Sequence, residues 1–314
     1  MSDLYATIRT LRRQSGGERP PAESRPEIQG YGVPPRAFRA LVIALAGGHP
    51  LYVRLEYPRQ VGSLLALLRQ MRGLLPPLTS EEAEEDMAIQ ETTFAGEEIG
   101  CVYRQTFPPL RSVRVRGEKP ENVRRDLFAP GPAYRAPMTV QAHRGFLHVD
   151  GWDELAAADQ QQLLEVIQEG RVLMGKTSDG EPLFYPAQFT LIASGIAPPP
   201  PASASPFDLS CSWDAETEQA HPGTAEELAG KIAAARFAVG LPGRRGHAPL
   251  LNMMPAALRL LRDAELTAAQ AVRVGLVAMT IGALEGDIVP GMMVGLEAIM
   301  VAAVEEALSF FPRP

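Results

Sequence analysis

Three short apolar runs constrain the fold most. They are LYVRL (Leu51–Leu55), the start of GFLHVDGWDEL (Gly145–Asp150) and AQFTLIASG (Ala187–Gly195). Each is the length of a strand rather than a helix. None alternates polar with apolar residues, as a strand with one wet face would. Near-continuous apolar strands are those covered on both sides, which is the situation of parallel sheets flanked by helices. The intervening segments supply those helices: Arg36–Ala46, Ser63–Arg72, a start at TSEEAEEDMAI, and a stretch running to about Glu169. Thr79 or Ser80 is a natural N-cap for the third, and the glutamates behind it favour the helix dipole. Such alternation predicts an α/β fold with a doubly wound, mostly parallel sheet.

Other segments read less regularly. Residues 100–137, rich in Arg and Pro, predict extended loops and hairpins. RVLMG (Arg171–Gly175) predicts a short strand turning through Ser178-Asp179-Gly180, and Ala197–Pro206 a stiff polyproline loop. Beyond Asp214 no strand is predicted. Residues 224–240, 248–264, 266–286 and 289–311 read as four helices with Ala, Leu and Met on their apolar faces, so Met253, Met254, Met279, Met292, Met293 and Met300 are expected as core filling. Residues 4–14 fit a short helix and 15–26 a Gly/Pro/charge linker. The expected division is therefore 1–26, an N-terminal helix and linker; 27–213, the α/β domain; and 214–314, a helical domain.

Composition narrows the functional classes. With 314 residues, 46% hydrophobic and 21% charged, the chain has material for a sizeable core. No apolar run reaches the roughly 18 residues of a membrane span, so no membrane insertion is expected. A net charge of −7 argues against a generally basic, nucleic-acid-coating surface. The two cysteines, Cys101 and Cys211, have no metal-ligand spacing; with an N-terminus lacking a signal core, they fit a reducing cytoplasm.

The stretch GGHPLYVRLEYPRQVGSLLALL, from Gly47, is a strand, a turn and a helix start. In nucleotide-binding α/β proteins that is the seat of a phosphate-cradling loop, which needs glycines and a lysine. Here the turn holds one glycine, Gly62, and no lysine. Arg59 is the nearby cation, on the wrong side of the turn, and Pro58 removes an amide from a cradle built of amides.

Several segments, in order, resemble the AAA+ clade of the magnesium-chelatase ATPase subunit and the ComM-type helicases. GYGVPPRAFRALVIALAGGHPLYV is similar to GQ…A.RALEIAAAGGHNLLLIG, LLPPLTSEEAEEDMAI to LLPPLTEEEALEVTAI, and AHRGFLHVDGWDEL to AHNGVLFLDELPEF. EVIQEGRVLMGKTSDGEPLFYPAQFTLIAS resembles LEDGRVTISRA…FPARFLLVAA, and LTAAQAVRVGLVAMTIGALEG resembles LSARAYHRILRVARTIADLEG. The resemblance implies an AAA+ α/β domain followed by an all-helical lid.

It also implies where nucleotide chemistry would sit. Phosphoryl transfer in this fold uses the amide cradle, its lysine, a Ser/Thr and an Asp on Mg²⁺, a carboxylate that orients water, and a neighbour's arginine. Asp150 stands at the Walker-B aspartate, but Gly151 follows where the glutamate belongs. Ile196 replaces the sensor asparagine, Pro206 the finger arginine, and Ala269 a lid arginine; Arg273 persists, while Leu276 and Met279 replace two later arginines. A finger arginine alone is worth about 10³–10⁵ in rate. The resemblance therefore implies a pseudo-ATPase with no catalytic residues, whose remnant nucleotide-site positions are Arg59, Gly62, Ser63, Asp150 and Arg273. No cofactor and no metal are expected. The implied role is scaffold or regulator within a homo- or hetero-oligomeric ring, beside an ATPase-active AAA+ paralogue.

Two alternatives stay open at this level. One is an ATPase with a rewired site using Arg59 and Asp150, which would bind ATP and Mg²⁺. The other is a DNA-binding subunit of a helicase-like complex, using Arg111, Arg114, Arg116, Arg124 and Arg125 of LRSVRVRGEKPENVRR, where the alternation in RSVRVR sets several arginines on one side of a hairpin; a solvated hairpin balanced by Glu118, Glu121 and Asp126 is the competing reading. His49, His143 and His148 lack metal-ligand spacing, and His148, mid-strand, fits a hydrogen-bonded core histidine. GRRGH (Gly243–His247) reads as an exposed loop, and Asp150, Asp153 and Glu154 as a strand end followed by a helix cap.

Overall fold

A computed structural model describes residues 33–94, 107–129, 136–176, 179–201, 205–214, 224–239, 255–285 and 296–312. The predicted helix at 4–14, the linker at 15–26, the Gly243–His247 loop, Cys101, Met253, Met254, Met292 and Met293 lie outside them, as does the side chain of Met300.

The chain opens with α1 (Pro35–Gly47), β1 (Leu51–Leu55), α2 (Gln60–Arg72) and α3 (Ser80–Phe94). Then come β2 (Leu110–Arg114), α4 (Pro120–Phe128), the single-turn α5 (Met138–Gln141) and β3 (Phe146–Asp150). After a 3₁₀ turn at Trp152–Glu154 follow α6 (Ala157–Glu169), β4 (Arg171–Lys176), β5 (Pro182–Pro186), β6 (Thr190–Gly195) and β7 (Leu209–Trp213). The C-terminal helices are α7 (Ala225–Val239), α8 (Pro255–Asp263), α9 (Ala268–Leu284) and α10 (Leu296–Phe310).

β1, β2, β3, β6 and β7 form one sheet in the order β2-β3-β6-β1-β7, every pairing parallel. The pleat sends alternate residues to two cores. Leu51, Val53, Leu55, Phe146, Ile192, Leu209, Cys211 and Trp213 face a cluster built with α1, α2 and the C-terminal helices. Tyr52, Leu147, Val149, Leu191 and Ala193 face the other, with residues of α4, α5 and α6. The doubly wound parallel sheet expected from the apolar runs is therefore present. The helices after β7 share the first core with α1.

Four local readings are corrected. Residues 110–114 are not a hairpin arm but a parallel edge strand on β3, followed by helix α4. Alternation in RSVRVR fits any strand and carries no information on the direction of its partner. β5 pairs antiparallel with β4 as a hairpin outside the main sheet. β7, hidden behind the proline run in a segment with serine at two of five positions, completes the sheet edge beside β1. α2 starts at Gln60, three residues earlier than its apolar spacing suggests. At α3, Thr79 is the cap: Glu82 N donates to Thr79 Oγ1 at 3.2 Å, and Thr79 N to Glu82 Oε2 at 2.9 Å.

Candidate functional site

In open α/β sheets, ligands enter the crevice at the carboxyl ends of the strands. Here that end is formed by Leu55, Asp150 and Gly195 and the turns that leave them. The Glu56–Arg59 turn is closed on itself. Gln60 Oε1 accepts from the amides of Glu56 (2.8 Å) and Tyr57 (2.9 Å), while its Nε2 donates to the Trp213 carbonyl at 3.2 Å. Gln60 N donates to Tyr57 O, and Val61 N to Pro58 O. The amides that a phosphate oxygen would need are held by a side-chain carbonyl of the chain itself. Gln60 belongs to no phosphate-loop motif; its signal in the sequence is a glutamine at a helix start, within reach of the amides three and four residues back.

Arg59 is the N-cap residue of α2, its guanidinium 5.0 Å from the Tyr57 ring centroid. Gly62 and Ser63 are exposed in the first turn, and a Cβ added to Gly62 would meet nothing within 4 Å. Asp150 lies two strands away. It is buried, and its pKa is raised by that burial against the opposing pull of Arg116 and Arg114. Its Oδ1 accepts from Ser194 Oγ at 3.4 Å. The following Gly151 has φ +87, a left-handed conformation, and a Cβ there would stand 3.0 Å from Arg116 N. A glutamate at that position would be strained by the backbone before any chemistry began.

The far wall is filled likewise. Asp153 Oδ2 accepts from the amides of Ile196 (3.2 Å) and Ala197 (3.1 Å), at the position where a sensor side chain was sought. Arg116 reaches Asp153 Oδ1 at 3.4 Å and Glu154 Oε1 at 2.9 Å. Tyr52 donates to the Ala197 carbonyl at 2.8 Å; its own pKa is raised by burial, then by Asp153. Asp153 and Glu154, read as a strand-end cap, are the arms that close this wall. A Cβ on Gly195 would fall 2.3 Å from Tyr52 Oη and 2.6 Å from Asp153 Oδ1, so no room is left between them.

Arg273 is not at this end. Its Nε donates to Asp208 Oδ1 at 2.7 Å, its Nη1 to Ser205 O at 3.0 Å, and its Nη2 to Phe207 O. Those partners precede β7, whose first residue lies beside Leu51 at the start of β1. The structure thus brings Arg59, Gly62 and Ser63 together, sets Asp150 across the crevice, and places Arg273 at the opposite end of the sheet.

The other arginines do not share one face. Arg116 is tied to Asp153 and Glu154, and Arg124 to Asp159 (2.9 Å) and Gln162 (3.2 Å), rather than to the acids within their own segment. Arg125 lies 3.7 Å from Asp126, Arg114 is exposed at the end of β2, and Arg111 Nη1 donates to the Leu110 carbonyl at 3.4 Å. The three histidines among the described residues are hydrogen-bonded core residues: His148 between Ser112 and Ser194, His49 between Asp208 and Thr280, and His143 accepting from Gln188 N with Glu85 at 3.3 Å. Among the described residues no group of three or more His, Cys, Asp or Glu could hold a metal, and no helix is long and apolar enough to cross a membrane.

The family model described as magnesium chelatase, subunit ChlI, matches residues 28–224. Two curated relatives, each named uncharacterized protein YifB, come from Salmonella typhimurium and Escherichia coli. Each is 32% identical over 157 residues, which is 50% of this chain and 28% of the relative. The chain thus spans under a third of the length of these relatives.

Proposed function

Because the chain belongs to the magnesium chelatase subunit ChlI family, we propose that it is a non-catalytic AAA+ pseudo-ATPase, a cytoplasmic scaffold or regulator of an active AAA+ ATPase. The observation that carries this reading is the self-occupied crevice. Gln60 takes the amides of the strand-to-helix turn, Asp153 takes those of Ile196 and Ala197, and a left-handed glycine stands where a water-orienting carboxylate belongs. Binding a triphosphate would require breaking these hydrogen bonds and bringing four negative charges beside Asp150, Asp153 and Glu154 without a lysine. Each preorganised donor missing from such a site costs about 10²–10³ in rate.

What such a chain keeps is architecture. AAA+ modules associate as rings, so a module whose crevice is filled by its own side chains can hold a ring position, or dock on a live ring, in one fixed geometry. A rewired ATPase using Arg59 and Asp150 is less well supported. Arg59 stacks on Tyr57, and Asp150 stands directly beside Ser194, whose hydroxyl already donates to it. A nucleic-acid role would rest on arginines of which Arg116 and Arg124 are already committed to acids.

Calorimetric titration of the full chain with Mg-ATP tests the reading. No binding heat at micromolar to millimolar nucleotide and background phosphate release are the expected results; micromolar affinity or turnover would overturn it. Affinity capture from the native cell should bring down a paralogue with an intact phosphate loop.

A further inference from the structure

The amino ends of the strands, opposite the crevice, border a cavity of about 500 Å³. That is within the range of small-molecule sites, roughly 300–1,000 Å³. Its walls are the Leu75–Thr79 turn, the starts of β3 and β6 at Phe146 and Thr190, and the side chains of Arg144 and Arg236. The turn belongs to LLPPLT, a segment that the phosphate chemistry does not use.

Charge around the cavity is unevenly paired. Two guanidinium groups, Arg144 and Arg236, face one carboxylate, Glu82. Glu82 is occupied: Oε1 accepts from Arg144 Nη1 at 2.9 Å and Oε2 from Thr79 N at 2.9 Å. Arg144 is further bound to Glu85 at 2.7 Å. Arg236 has a weaker arrangement. Its Nη1 donates at 2.7 Å to the carbonyl of Leu45, a neutral acceptor, and burial lowers its pKa against the opposing pull of Glu82. A guanidinium has five N–H donors in a fixed fork matched to a carboxylate. A partly desolvated cation facing an open cavity gains most from an anion that completes that fork.

The backbone adds a second observation. Arg144 has φ +62, one of two non-glycine residues described in the left-handed region. Such a conformation costs on the order of 1 kcal/mol and persists where surroundings impose it. Here Glu82, Glu85 and the Gln188 carbonyl hold the residue at the cavity wall. The apolar part of the lining that reaches the opening is Pro76, Pro77, Leu78 and Phe189, beside the polar Thr79, Gln188 and Thr190.

We propose that this cavity binds a small amphipathic carboxylate, its head on Arg236 and its apolar body against Phe189 and the proline turn. Arg236 comes from α7, while the other walls come from the α/β core. Occupancy therefore couples the helical segment to the sheet without touching the crevice.

The experiment is calorimetric titration of the full chain with 4-phenylbutyrate and, separately, its uncharged amide. The acid is expected to bind saturably at millimolar concentration or below, and the amide at least about tenfold more weakly. Arg236→Met should weaken the acid about tenfold and leave the amide unchanged, with Arg236→Lys in between. Because Arg236 is partly buried, Leu78→Trp serves as an independent variant that narrows the cavity from a half-exposed wall; it should abolish binding of both compounds while leaving the circular dichroism unchanged. Equal affinity for acid and amide, no saturable binding of the acid, or binding unaffected by Leu78→Trp in a folded chain would each overturn the proposal.

Discussion

At the scale of single residues, Gly62 and Gly151 show how differently one residue type can be used. Gly62 lies in a helical turn with open space around its Cα, so neither conformation nor contact requires it. Gly62→Ala should raise stability by about 0.5–1 kcal/mol, since glycine in a helix carries that penalty relative to alanine. A higher urea midpoint at unchanged slope would verify this, and a loss of stability would mean that the turn holds something its open surroundings do not reveal. Gly151 is the opposite case, held at φ +87 with Arg116 N 3.0 Å from any added Cβ. Gly151→Glu should destabilise the fold by about 1–2 kcal/mol, read as a lower urea midpoint, because strain arrives with the side chain.

At the scale of elements, a polar chain crosses three strands of the sheet. Ser112 Oγ lies 3.0 Å from His148 Nδ1, His148 Nε2 lies 3.0 Å from Ser194 Oγ, and Ser194 donates to Asp150. Since Ser194 gives its hydrogen to Asp150, Nε2 must donate and Nδ1 accept, which assigns one neutral tautomer. Burial lowers the His148 pKa to about 4 from 6.5. Between those values the unfolded chain binds the proton that the folded chain refuses. This contribution to stability is therefore complete above pH 6.5 and is lost as pH falls towards 4, on the order of 3 kcal/mol in all. Imidazole resonances should show His148 still neutral at pH 5; a midpoint near 6.5 would remove the assignment. The central position of this histidine was readable because GFLHVD is an apolar run with one polar member. Its partners were not, since Ser112 and Ser194 come from strands distant in sequence that only the sheet order sets on either side.

At the scale of the whole molecule, Asp208 joins the helical segment to the sheet. It stands at the start of β7, receives Arg273 from α9, and lies 3.2 Å from His49, which in turn meets Thr280 of α9 at 2.8 Å. Burial alone would raise the Asp208 pKa, yet His49 and then Arg273 hold it below its ordinary value. Asp208→Asn leaves the Arg273 guanidinium without its counter-charge and takes the carboxylate from beside His49, and should cost about 3–5 kcal/mol. Adding Arg273→Met should then cost less than it does in the wild-type background, a non-additivity measurable by urea unfolding of the double-mutant cycle. Additive effects would mean that Arg273 stabilises the chain by some other contact, such as that with the Phe311 ring.

The residue pattern by itself determined the layered α/β plan, the capping of α3 by Thr79 or Ser80 and the four C-terminal helical segments. Those follow from periodicity and local hydrogen-bonding, which act over a few neighbouring residues. It also revealed that the strand-to-helix turn has no lysine and that a glycine follows Asp150. Only the tertiary structure decided what fills the crevice and where Arg273 goes, because Gln60 with Trp213, Asp153 with Ala197, and Arg273 with Asp208 are contacts between residues 44 to 153 apart. Hydrogen-bond partners at that separation are selected by sheet order and by the direction in which each helix returns. Spacing along the chain encodes neither.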